Sequence, residues 1–163
     1  MLSLFLALTA FNLLLLLLTA LLGYAYGGSE TTQWHALAGI VATMTCCGVH
    51  CIVFTYFIAT AKWVQHAVTV KHLEPSLAAP TRSFKLQAFP AALLAMLIVF
   101  IAAVFGAAHV SYEISPTYHH VLAWIAIAIN AIVAVTEYRA IARNGRLIDE
   151  ILARINTPTA AAR

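Results

Sequence analysis

Four stretches of the chain are apolar for long enough to cross the roughly 30 Å hydrocarbon core of a bilayer, which takes about 20 residues of helix. They run approximately over 2–26, 34–63, 84–109 and 118–138. Backbone N–H and C=O groups find no partner in hydrocarbon, so each stretch is expected to be an α-helix that satisfies them within itself. Composition agrees. Of 163 residues, 63% are hydrophobic and 9% are charged, against about 25% charged in a soluble domain. The expected class is therefore an all-α integral membrane protein with one four-helix domain over 1–156 and a frayed tail at 157–163. The first stretch has no basic leader and exceeds the roughly 7–15 residue core of a secretory signal, so it is expected to be a retained span.

Charge then orients the spans. The loops "GGSETTQ" (27–33) and "VSYEISPT" (110–117) contain no Lys or Arg. Every basic residue lies in the second-to-third connection or towards the carboxyl end: Lys62, Lys71, Arg82, Lys85, Arg139, Arg143, Arg146, Arg154 and Arg163. The positive-inside rule predicts an up-down-up-down bundle with both termini cytoplasmic. The net charge of +3 follows from this topology and gives no support to nucleic-acid binding.

Topology also gathers the histidines. His35 opens the second span, His109 closes the third, and His119 and His120 open the fourth. All four are expected near the outer boundary. With about 100° per residue, His35, Gly39, Ala42, Cys46, His50 and Val53 share one face of the second helix. His119, Ala123, Ala126, Asn130, Ala134 and Glu137 share one face of the fourth, while His120 is turned about 100° away. Polar groups are costly against lipid, so these two faces are expected to look inward. Ala91, Ala95, Ala102 and Gly106 form a small-residue stripe on the third helix, in line with His109. Such a stripe serves close helix packing, and it equally makes room for a planar ligand.

His50 lies about 22 Å below His35 at 1.5 Å per residue. Two roles stand for it: a hydrogen-bonded midplane cluster with Asn12 and Asn130, or a cofactor ligand or proton relay. Cys46, Cys47 and Cys51 lie in the same span, which implies no disulfide framework. Their spacing is not that of a zinc motif, and packing is the simpler role. Glu137 is expected near the cytoplasmic end, paired with Arg139 or Lys62. The second helix is expected to continue into the cytoplasm through "AKWVQHAVTVKHLEP", with His66 and His72 solvated, and "RLIDEILARI" puts Leu147, Ile148, Ile151, Leu152 and Ile155 on one face. That face suits the membrane surface, a partner, or a solvated helix end with some lipid contact. No internal repeat, nucleotide motif or hydrolase motif is evident.

The stretches "IVFTYFIATAKWV", "AFPAALLAML", "SPTYHHVLAW" and "EYRAIARNGRL" resemble a set of uncharacterised small bacterial four-helix membrane proteins. That resemblance implies a multi-pass protein of the bacterial inner membrane and carries no activity. In outline, histidines on several bundle helices are similar to membrane b-type cytochromes such as succinate dehydrogenase anchors. This architectural resemblance implies haem b held between histidines of different helices, drawn from His35, His109, His119, His120 and His50. The interval from His35 to His50 is longer than on a helix that carries paired haems, which leaves a single haem. Electrons would be exchanged with quinone or a partner subunit. Two further functions suit the same residues. One is a non-catalytic subunit of a larger respiratory or photosynthetic complex. The other is an outer-face copper or zinc site built from His35, His109, His119 and His120, since imidazole suits both metals.

Overall fold

The computed structural model of the protein describes residues 1–26 and 32–157. Most of the first outer loop and nearly all of the tail expected to fray therefore lie outside the described residues. The chain forms α1 (Leu2–Tyr26), α2 (Thr32–Val70), a short 3-10 turn (Pro75–Ala78), α3 (Pro80–Tyr112) and α4 (Pro116–Asn156). The described residues contain no strand. All four helices are long and apolar enough to cross a membrane.

The helix ends differ from the hydropathy boundaries for local reasons. α3 and α4 both begin at proline, whose fixed φ and missing N–H suit a first helical turn. Ser115 caps α4 by accepting from the Thr117 amide. Thr81 and Ser83 return their hydroxyls to the Ala78 and Pro80 carbonyls. α3 closes on Glu113 and α2 is followed by His72, both in the left-handed region at φ 53° and 50°, where non-glycine residues are uncommon. α2 and α4 have 39 and 41 residues, or about 58 and 62 Å. They are roughly twice as long as the hydrocarbon is thick.

The added length has its own core. Val64, Ala67, Val68, Leu77, Phe84, Ala140, Ile141, Leu147 and Ile151 are buried together, with Ile148 and Ile155 packed against them. The apolar face of "RLIDEILARI" is thus largely covered by the protein's own α2, 3-10 turn and α3. It is not a free surface for membrane or partner, as the sequence suggested. Only Leu152 remains 40% exposed.

The same apolar cluster reaches up through Ala88, Phe57 and Val53 to Phe5. A second cluster, Leu16, Ala42, Cys46, Val99 and Ala126, fills the other half of the bundle. On α3 the buried line is Ala88, Ala92, Ala95, Val99 and Ala102; Ala95 and Ala102 of the expected stripe lie on it, whereas Ala91 is only partly buried and Ala92 takes its place. Small side chains here let α4 approach α3 closely, which is how helices associate without a hydrophobic driving force. Large apolar residues from all four helices face outward, among them Phe11, Met44, Phe100 and Ile132. That is the surface of helices solvated by lipid. Several threonine hydroxyls on α1 and α2 are satisfied within their own helices, as in Thr19 to the Leu15 carbonyl and Thr43 to the Gly39 carbonyl.

If the lower core holds the ends of α2 and α4 together, Ile151→Ala should destabilise the purified protein by about 2–5 kcal/mol, the usual cost of a core truncation. Leu152→Ala should cost under about 1 kcal/mol at its half-exposed position. Thermal denaturation in detergent checks both, and equal losses would contradict this packing.

Candidate functional site

At the end of the bundle where α3 meets α4, two histidines are held in matching ways. His35 on α2 places Nδ1 3.0 Å from the Thr19 carbonyl of α1. His119 on α4 places Nδ1 2.8 Å from the Ala102 carbonyl of α3. A carbonyl only accepts, so Nδ1 carries the hydrogen in both rings. That leaves each neutral imidazole with its lone pair on Nε2, for which the described residues provide no hydrogen-bond partner.

Local sequence explains why these carbonyls are reachable. In a helix Cβ points back towards the N-terminus, so the side chain of residue i+4 covers the carbonyl of residue i. Four residues after Thr19 comes Gly23, and four after Ala102 comes Gly106. A Cβ on Gly23 would stand 2.9 Å from the His35 ring, and one on Gly106 would stand 2.9 Å from the His119 ring. Each imidazole therefore lies in a notch that only glycine leaves open.

The two rings meet edge to face with centroids 5.8 Å apart and an interplanar angle of 74°. Two imidazoles on opposite sides of one ion, with bonds of about 2.0–2.1 Å and ring centres about 1.1 Å behind the nitrogens, stand about 6 Å apart. The observed 5.8 Å is slightly shorter than that and is also the spacing of an ordinary edge-to-face ring contact. A ring nitrogen tied to a carbonyl while the other faces a metal is the usual outer arrangement of a ligating histidine.

The other two outer histidines lie at the same end, and the His120 ring centroid is 6.0 Å from that of His119. His109 is exposed, and its Nδ1 meets the Ile114 carbonyl in the α3–α4 connection. His120 packs on Tyr24 with ring centroids 4.7 Å apart, and Tyr24 accepts from Trp124 Nε1 at 3.0 Å. Among the described residues no group of three or more His, Cys, Asp or Glu side chains converges to hold a metal ion. Three or four of these imidazoles therefore do not converge as the copper or zinc set requires, although the His119 ring lies within about 6 Å of both His35 and His120.

His50 belongs to a separate layer between the two apolar clusters. Its Nδ1 lies 2.8 Å from Glu137 Oε1 and its Nε2 3.4 Å from Asn130 Oδ1. Both ring nitrogens are thus turned to protein partners and neither is left for haem. Asn130 donates to the Ala126 and Ala95 carbonyls, so its Oδ1 is fixed as the acceptor for His50 and for the Cys46 thiol at 3.3 Å. Glu137 is fully buried beside His50. It does not pair with Arg139 or Lys62 as its position in the chain suggested. About two turns further along α4, Asn144 donates to Tyr56 Oη and Thr60 Oγ1, each at 3.0 Å. Sequence reasoning overlooked Asn144, Thr19 and Gly23. For Asn144 the signal was present as the seven-residue spacing of Asn130, Glu137 and Asn144.

Comparison with family models, with curated proteins and with solved structures finds no match.

Gly23→Ala and Gly106→Ala should each displace a ring and destabilise by about 1–3 kcal/mol, as overpacking does. Gly48→Ala and Gly145→Ala, where no atom lies within 4 Å of a new Cβ, should be neutral or raise stability by up to about 1 kcal/mol. Thermal denaturation of the four variants checks the notches, and a uniform response would remove them.

Proposed function

We propose that the protein is a small membrane cytochrome of b type, with haem b held between His35 of α2 and His119 of α4. The observation that carries this reading is the pair of imidazoles, each tethered by Nδ1 to a carbonyl of the neighbouring helix, with ring centres 5.8 Å apart. Iron in haem takes neutral imidazole as an axial ligand, and the bound group would supply one-electron transfer. The protein's part is to fix ring orientation through the Thr19 and Ala102 carbonyls and to surround the site with apolar walls. The electron partner is proposed to be a membrane quinol or a neighbouring subunit.

The up-down-up-down arrangement with cytoplasmic termini belongs to the same proposal. It is supported by the absence of Lys and Arg from residues 27–33 and 110–117. The resemblance noted for the sequence favours a bacterial inner membrane. The haem would then lie near the outer face, and the basic extension of α4 would stand in the cytoplasm.

The optical spectrum tests the site. Protein purified from its native membrane should show a reduced-minus-oxidised haem b signal. His35→Ala and His119→Ala should each abolish it, whereas His109→Ala and His120→Ala should retain it. A haem-free parent, or unchanged spectra in the first two variants, overturns the reading. Topology has a separate check: in a cysteine-free background, Glu113→Cys should react with an impermeant reagent from outside only.

A further inference from the structure

The layer around His50 holds three buried oxygens with no partner: Thr9 Oγ1, Asn12 Oδ1 and Glu137 Oε2. Asn12 and Glu137 are 2% and 0% exposed. Their common depth follows from packing. On α1, Asn12 lies between Phe5 of the lower apolar cluster and Leu16 of the upper one; on α2, His50 lies between Val53 and Cys46; on α4, Asn130, Val133 and Glu137 lie between Ala140 and Ala126. Thr9 lines a crevice with Leu13, Ala134 and Tyr138, which bracket Glu137 on α4. A buried polar oxygen without a hydrogen bond is costly, most of all where neither solvent nor lipid headgroup reaches it.

The resting proton count follows from the bonds. Asn130 Oδ1 only accepts, so His50 Nε2 carries a hydrogen directed at it. One further proton lies between His50 Nδ1 and Glu137 Oε1. Whether this proton is drawn on nitrogen or on oxygen, the pair is neutral overall, which suits a site deep in hydrocarbon. Glu137 Oε2 keeps its lone pairs free, and two unpartnered acceptors stand on α1. Asn12 Oδ1 and Glu137 Oε2 only accept, the Thr9 hydroxyl can donate or accept, and none of the three has a partner among the described residues. A water needs about two to four polar partners to be held in such a place, and it can donate to two of the three oxygens at once.

We propose that this layer is a proton-binding site. A water is held by Thr9, Asn12 and Glu137, and the His50–Glu137 pair reversibly takes up one proton from the medium at this layer. In the loaded form His50 is imidazolium, hydrogen-bonded to Asn130 Oδ1 and Glu137 Oε1. Glu137 is then a carboxylic acid whose proton sits on Oε2 and is donated towards Asn12 Oδ1 or the water. The site gains one positive charge and no electrons move. Among the described residues the groups facing it are few: Thr9 and Asn12 from α1, Cys46 from α2, Asn130 from α4, and from α3 only alanine and valine side chains with the Ala95 carbonyl. No second carboxylate and no Lys or Arg is among these groups.

The inference does not depend on haem, and its test does not read haem. Infrared difference spectra between acid and alkaline buffer are recorded on the full chain in lipid nanodiscs, in H2O and in D2O. Wild type should show a carboxylic acid carbonyl band that appears on acidification, shifts on deuteration and is lost in Glu137→Gln. Asn12→Leu and Thr9→Val leave every titratable group in place. Each should move that band and lower its titration midpoint by about one pH unit, a tenfold loss of proton affinity. Circular dichroism verifies the fold of each variant; if Glu137→Gln does not fold, the Asn12 and Thr9 variants decide. The proposal is overturned by a wild type with no titrating carboxyl band, or by a band that survives Glu137→Gln. It also fails if Asn12→Leu and Thr9→Val leave band and midpoint unchanged.

Discussion

A carboxyl group fully enclosed by apolar helices has to be matched from within the bundle, and the contact between Glu137 and His50 is that match. An ionised acid at the centre of a lone membrane helix costs about 2.5–3.5 kcal/mol on insertion scales. Interhelical hydrogen bonds in membranes return only about 0.6–2 kcal/mol each, so a single contact does not offset that cost. The surrounding structure supplies the remainder by keeping the pair neutral and saturating one side of it. Asn130 turns its carbonyl towards His50 because its amide is committed to the Ala95 and Ala126 carbonyls. Apolar clusters then close the layer above and below. This arrangement also sets how α2 and α4 are rotated, since their polar faces must meet.

The histidine clamp obeys a different constraint, that of steric access to a helical carbonyl. Such a carbonyl already accepts one hydrogen bond from residue i+4, yet it retains a second lone pair. In most helices the next turn's side chain hides it. Gly23 and Gly106 expose it, and an imidazole from the neighbouring helix takes the vacated volume. One local device thus appears twice, in α1 with α2 and in α3 with α4.

Much of the fold was legible because hydrophobic length is a strong signal in lipid. The four helices were readable from apolar runs alone, and α3 and α4 start earlier than hydropathy marked because Pro80, Pro116 and Ser115 offer better starts. The congregation of His35 and His119 at one end was also readable, as a consequence of alternating spans. Their tethers were not, because Thr19 and Gly23 sit in a leucine-rich helix where neither stands out. Glu137 misled for a related reason. Its nearness in sequence to Arg139 suggested a surface pair, but a residue two positions on points to a different side of the helix, and the partner came from a chain segment 87 residues away. The apolar face near the carboxyl end was correctly periodic, but periodicity does not say what covers a face.

Each tether is complete within two consecutive helices. α1 provides the carbonyl and notch for the histidine of α2, and α3 does the same for that of α4. The only covalent link between these halves is the short connection through the 3-10 turn at Pro75–Ala78. The chain is therefore organised as two separately prepared half-sites facing one another, an arrangement in which a shared ligand would act as the fastener between halves. Assembly can then proceed hairpin by hairpin as the chain enters the bilayer, with each imidazole oriented before its counterpart arrives.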